Sequence, residues 1–200
     1  MFKKLFSATL LCAAATLAVA QAPAQTVRMR GVIQDVDGAS FTLKARSGEV
    51  VKLALTDKLV VSEVFPMELA DIKPGSYIGT AALTMPDGTL RSQGVTVFPE
   101  AMRGTGDGHR PYDLGPDSTM TNATVADLVA APEGRKLQLK YKDGEKTILV
   151  PQGTQIVSFK PADRALLVSG ATVSLTAQEI NGVPTAMRIT AGRNGFTAPY

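Results

Sequence analysis

The chain of 200 residues has a single cysteine, Cys12, and a single histidine, His109. Cys12 lies in the first twenty residues, within a segment expected to be removed, so the mature chain is expected to have no thiol. That excludes a disulfide, a thiolate metal site and a cysteine nucleophile. An excess of charge of one sign is also missing. The net charge is +3, and without Lys3 and Lys4 it falls to +1. A balance this small gives little long-range pull toward nucleic acid or an anionic membrane, though a local patch could still bind. Long apolar runs are missing too. The one extended stretch, Leu5 to Leu17, is too short for a stable membrane span. No G-x-S-x-G motif occurs, and a Ser-His-Asp set would have to use His109 from a glycine-rich segment, so no enzyme activity is expected.

What is present is a signal-like start. Lys3 and Lys4 precede the apolar run, and Ala18-Val19-Ala20 offers small side chains where a signal peptidase cuts. A second small triplet, Ala22-Pro23-Ala24, leaves the cut open between Ala20 and Ala24. Residues 1–20 are therefore expected to be a signal peptide, with no transmembrane anchor once it is cut. An exported chain without disulfides points to a bacterial periplasmic or secreted protein. Hydrophobic residues make up 44% and charged residues 20%, as in a folded globular domain rather than a disordered chain.

From Thr26 the pattern is that of strands. Val27 to Val36 forms one long candidate strand, with Gly31 inside it to mark a bulge or bend. Phe41, Leu43 and Ala45 alternate with Thr42, Lys44 and Arg46, the period of a half-buried strand. Val51, Leu53 and Leu55 continue the inward set, and the apolar run Leu59 to Val64 follows. Pro66 opens an expected short helix, and two strands then flank Pro86-Asp87-Gly88. The second half repeats this order. Leu137, Leu139 and Tyr141 face in, Pro161 opens a short helix, and a hairpin turns at Asn181-Gly182. Gly38 and Gly134, Gly48 and Gly144, and Ser62 and Ser158 are each 96 residues apart. Pro66 to Pro161 and Gly75 to Gly170 are 95 apart, and Gly88 to Gly182 is 94. Anchors in one order with a slow drift indicate a duplication.

Each copy, a strand bent at glycine, two more strands, a short helix and a hairpin, resembles the OB fold, a five-stranded Greek-key barrel. It is also similar to small secreted bacterial β-barrel domains of unknown function. The expected fold is all-β, two tandem OB-like β-barrels over residues 26–98 and 123–191, each with a short helix. A connector rich in glycine and proline spans 99–122, and 192–200 is expected to be a flexible tail. The added strand material at Leu59 to Val64 and Thr154 to Phe159 leaves a six-stranded barrel open.

The resemblance places binding on the outward face of strands two and three. In copy one that face carries Lys44, Arg46 and Lys52; in copy two it carries Lys136, Lys140 and Lys142. Such a stripe suits an envelope polyanion or partner protein, and it also serves as a plain solvated face. The absence of outward aromatics disfavours nucleic acid. Arg110, Tyr112 and Asp113 are expected to anchor the connector to a barrel, with Arg110 and Tyr112 able to add to binding. The main expectation is a non-enzymatic periplasmic binding or interaction module with no cofactor. The alternative is a metal-handling accessory protein using Asp107, His109 and Asp113, although their spacing matches no metal motif.

Overall fold

The computed structural model describes residues 25–200. The expected signal peptide, its cleavage site and Cys12 lie outside the described residues. The chain is all-β. In order it forms β1 (Thr26–Val36), β2 (Ser40–Ala45), β3 (Val50–Met67), β4 (Tyr77–Thr84), β5 (Leu90–Val97) and β6 (Gly108–Pro111). Then come β7 (Ser118–Ala131), β8 (Gly134–Tyr141), β9 (Gly144–Pro151), β10 (Ile156–Ala162), β11 (Thr172–Ile180) and β12 (Val183–Gly192). The expected short helices shrink to single 3-10 turns, Leu69–Asp71 and Arg164–Leu166. Pro66 and Pro161 do not open them, because both are still in strands, where they pair with Val157 and Ser62. Each proline sits beyond the last rung on the other flank of its strand, so its missing N–H breaks no ladder.

The strands close into rings. β1, β2 and β3 form an antiparallel meander, β12 returns parallel to β3, and β11 joins β12 back to β1. A second circuit runs β4, β5, β9, β8, β7 and back to β4. It closes less completely, since β5 meets β9 only at Leu90 with Ile148 and Arg91 with Leu149. The hairpin of each sequence copy therefore completes the ring begun by the other copy. The expected division into one barrel over 26–98 and another over 123–191 does not describe these circuits. Each ring combines strands from both halves of the chain.

The reason is β3. It is one strand of 18 residues, with a register shift against β12 between Leu55 and Val60. It thus carries the chain out of the first ring before the next turn. The apolar run Leu59 to Val64 is the continuation of this strand and not an added one. Its counterpart β10 lies antiparallel to it, with Val64 opposite Phe159. Those two positions are themselves 95 apart, the spacing of the repeat. The pairing of the two copies is consequently symmetric about this point, and β10 also reaches β5 to join the rings.

The duplication shows in the ladders. One register shift falls between Ile33 and Asp35 in β1, and its match falls between Val125 and Asp127 in β7. A second pair falls between Ala81 and Ala82 in β4 and between Thr176 and Ala177 in β11. Gly31 is not the bulge itself; a Cβ there would sit 2.2 Å from the Lys44 carbonyl oxygen, so the residue permits β1 to cross β2 closely. Asn181 and Gly182 both have positive φ, 52° and 79°, as a tight hairpin turn requires.

Two separate interiors result. One gathers Ile33, Phe41, Leu43 and Leu53 with Val173, Leu175 and Ile189, and Leu166 and Leu167 of a 3-10 turn pack into it. The other gathers Ile78, Val95, Val125, Leu137, Leu139 and Ile148, with Ile72 beside its own turn. Each fully buried aliphatic or aromatic side chain contributes roughly 1.5–3 kcal/mol, so the alternation of inward residues supplies most of the driving force.

Candidate anion-binding site

The connector is docked. Its Gly108–Pro111 strand pairs with the start of β7. Arg103 binds both Glu100 oxygens, at 2.6 and 2.7 Å, and donates to the Gly75 carbonyl at 3.0 Å. The Asn122 side chain donates to the Thr105 carbonyl at 2.9 Å. Arg110 does not anchor to a barrel; it curls back onto the Gly106 carbonyl at 2.8 Å. Tyr112 and Asp113 do reach the first ring. Arg30 of β1 donates to Asp113 at 2.7 and 3.2 Å and to the Tyr112 hydroxyl at 2.6 Å. Burial works against the Arg30 charge, but the hydrogen bond to Asp113 and the neighbouring phenol outweigh it and raise its pKa. Asp113 in turn is held below the usual carboxylate range by Arg30, with Arg28 adding to the field.

The three residues of the metal alternative are not brought together. Asp113 is engaged with Arg30. Asp107 accepts from the Lys142 backbone N–H at 2.8 Å and lies 3.3 Å from the Tyr77 hydroxyl. Burial and then Asp107 push that phenol up to about 12. His109 pairs through Nδ1 with the Thr121 hydroxyl at 2.8 Å and stacks on Tyr141, centroids 6.5 Å apart. Burial, and then Lys146, lower its pKa. Among the described residues no cluster of three histidine or carboxylate side chains is placed to hold a metal ion.

The lysine stripe is scattered over two rings. Lys44, Arg46 and Lys52 are exposed on or beside β2 and β3, and Lys52 is paired with Asp37 at 3.0 Å. Lys136 and Lys140 are exposed on β8, where Lys140 lies opposite Glu145. Lys142 is in the following turn. Of these six residues, only Arg46 borders the cleft described next.

Positive charge is concentrated elsewhere, on the outer face of β1, β11 and β12. Two rows cross these strands. Arg28 is opposite Thr176, which is opposite Arg188; Arg30 is opposite Ser174, which is opposite Thr190. The rows form one wall of a cleft of about 190 Å³, closed by Tyr112, Phe159 and Tyr200. Arg46 borders a narrow extension of it. Arg28, Arg46 and Arg188 pair with no carboxylate among the described residues. Arg30 spends its Nη groups on the connector, while its Nε–H is buried without a partner.

The expected flexible tail helps to build this cleft. Arg193 pairs with the buried Glu63 at 2.8 Å, and Gln155 donates to the Thr197 carbonyl at 2.7 Å. Burial would raise the pKa of Glu63, yet Arg193 and Lys160 hold it below the usual range. Pro199 lies on Gly94, where a Cβ would come within 2.4 Å of the proline ring. The Tyr200 hydroxyl lies 3.0 Å from that of Thr96, and its ring meets Tyr112 edge-on at 5.8 Å.

Arg28, Arg30, Arg188 and Tyr200 are absent from the sequence expectations. A signal existed for two of them, because Arg28 and Arg30 alternate within Val27 to Gly31 and so share the outward face. Their approach to Arg188 depends on the pairing of β1 with a hairpin nearly 150 residues away. No protein-family model matches the chain, and no curated protein or solved structure does either.

Proposed function

We propose that this chain is an exported, non-enzymatic binding module that presents the basic outer face of its first ring to an anionic envelope ligand or partner protein. The observation that carries the reading is Arg28 and Arg188 flanking Thr176, with no carboxylate paired to either among the described residues. The planar guanidinium fork suits recognition of an anion, where lysine on an open face serves solubility. The lysines of β2 and β8 then add a diffuse field rather than a site. The ring order also favours kinship with the OB fold. A three-strand meander is followed by a hairpin whose second strand lies parallel to the third, and a turn enters the interior between them.

The test is retention on a dextran sulfate column along a salt gradient. Reversal of Arg28 and Arg188 to Glu should bring elution to the void. Reversal of Lys44, Lys136 and Lys140 should shift it only slightly. Unchanged elution of the arginine variant would remove the reading.

A further inference from the structure

The duplication supplies an internal control for the cleft. The ladders make Met120, Ala81 and Gly94 the counterparts of Arg28, Thr176 and Arg188. Asn122, Gly79 and Thr96 are the counterparts of Arg30, Ser174 and Thr190. The second ring's face is therefore made of small or neutral residues, and the Pro199-Tyr200 segment lies on it. The first ring's face has two rows of arginine and hydroxyl; the connector covers the Arg30 row, and Arg28 and Arg188 of the other row stay exposed. One backbone arrangement thus has two surface chemistries in a single chain. The fold does not require the arginines, since its other copy is built without them.

From this contrast, and resting on the binding reading above, we infer that Arg28, Thr176 and Arg188 form a site for one tetrahedral oxyanion carried as an ester, a phosphate or sulfate monoester group. Neighbouring strands lie about 4.8 Å apart, so the Cα atoms of Arg28 and Arg188 are separated by roughly 10 Å across Thr176. That span lets two guanidinium forks close on one group lying over the threonine hydroxyl. A carboxylate has two oxygens whose acceptor sites all lie in one plane, so it cannot face two opposed forks and a hydroxyl beneath it at once. A phosphate or sulfate monoester offers three free oxygens and can take both forks and a hydroxyl. Asp113, on the connector beside Tyr112, is neutralised by Arg30, so it does not repel an anion at the other row.

Size points the same way. About 190 Å³ is room for some six waters at about 30 Å³ each, below the roughly 300–1,000 Å³ of pockets that enclose drug-sized ligands. The cleft holds a head group and the first few atoms attached to it. Phe159 and Tyr200 supply the apolar side against which those atoms lie.

The experiment is isothermal titration of the folded 25–200 chain at low salt with phenyl phosphate, phenyl sulfate, inorganic phosphate, inorganic sulfate and benzoate. The phenyl esters should bind at least tenfold tighter than benzoate and tighter than the inorganic ions. Stronger binding of an inorganic ion than of its ester would overturn the ester assignment. Arg28→Gln with Arg188→Gln should weaken ester binding at least tenfold, and Thr176→Val severalfold; circular dichroism checks that these surface variants stay folded. Equal binding of benzoate, or esters bound unchanged by the double variant, would sink the proposal. If no small ester binds while the charge reversal still abolishes retention on dextran sulfate, this site is wrong and the basic-face reading stands. Loss of both signals removes both.

Discussion

Arg30 is the residue on which the cleft depends most. Its Nη groups hold Tyr112 and Asp113, its stem crosses the outer face of β1, and its side chain is mostly buried. Replacing it with Met should release the connector and cost about 1 kcal/mol. The figure is small because Asp113 is half exposed and the pair is partly screened. Urea denaturation gives the stability change, and protease cutting within residues 103–117 reports the release. The pH dependence follows from the sign of the Asp113 shift. A carboxylate held below its ordinary value near 3.8 stabilises the fold above that value, and the stability is lost as pH falls through the lowered one. The tether should persist at pH 5 and fail only in stronger acid, read from tyrosine fluorescence, since the chain has no tryptophan. His109 is held by the Thr121 hydroxyl and the Tyr141 ring. With a lowered pKa it is neutral at pH 7, and its folded environment disfavours the proton. An NMR titration should place its midpoint below about 6.5, and stability should decline as pH falls from about 6.5 toward that midpoint.

At the scale of elements, two glycines separate a contact that can yield from one that cannot. Gly31 meets the Lys44 backbone carbonyl, with an added Cβ at 2.2 Å, and both strands are fixed in the first ring. Gly31→Ala should cost more than about 2 kcal/mol, because backbone must move. Gly94 meets the Pro199 side chain at 2.4 Å. Gly94→Ala should instead displace the 196–200 segment and leave the rings folded. The expected result is a Tyr200 phenol that titrates near an ordinary tyrosine, from its present raised pKa, with little change in the denaturation midpoint. The stiff strand β3 belongs to this scale as well. Its outer half is apolar on the face that meets β10, with Val64 buried opposite Phe159. That contact carries the strand on past the irregularity between Leu55 and Val60, where its register against β12 shifts.

For the whole molecule, the exchange of hairpins sets the cooperativity. Neither ring closes without strands from both halves of the chain. Cutting the connector near Gly104 should therefore leave the two pieces associated, and each piece expressed alone should fail to give a folded monomer. Mixing them should restore the strand signal in circular dichroism. Independent folding of the separate halves would contradict the pairing. For the same reason Leu43→Ala in the first interior, expected to cost about 2–5 kcal/mol, should lower one shared transition and not split it in two.

How much of this was legible in the residues is uneven, and the unevenness has a physical cause. The alternation of Phe41, Leu43, Leu137 and Leu139 with polar neighbours announces half-buried strands, because a strand's side chains must alternate. The glycine and asparagine at the turns announce hairpins, because positive φ is hard for other residues. Spacing of about 95 residues announces two copies. None of these local signals says which copy a hairpin will join, since both hairpins show the same alternation of inward residues. That choice fell to the length of β3 and to the join at Val64 and Phe159. The same choice brought Arg28 and Arg30 beside Arg188, turned the loose-looking segments 99–122 and 192–200 into walls, and left the lysine stripe outside the cleft except at Arg46. Composition and period thus determined the strands, the turns and the duplication. Only tertiary closure decided the partners of the strands, and with them where the unpaired positive charge collects.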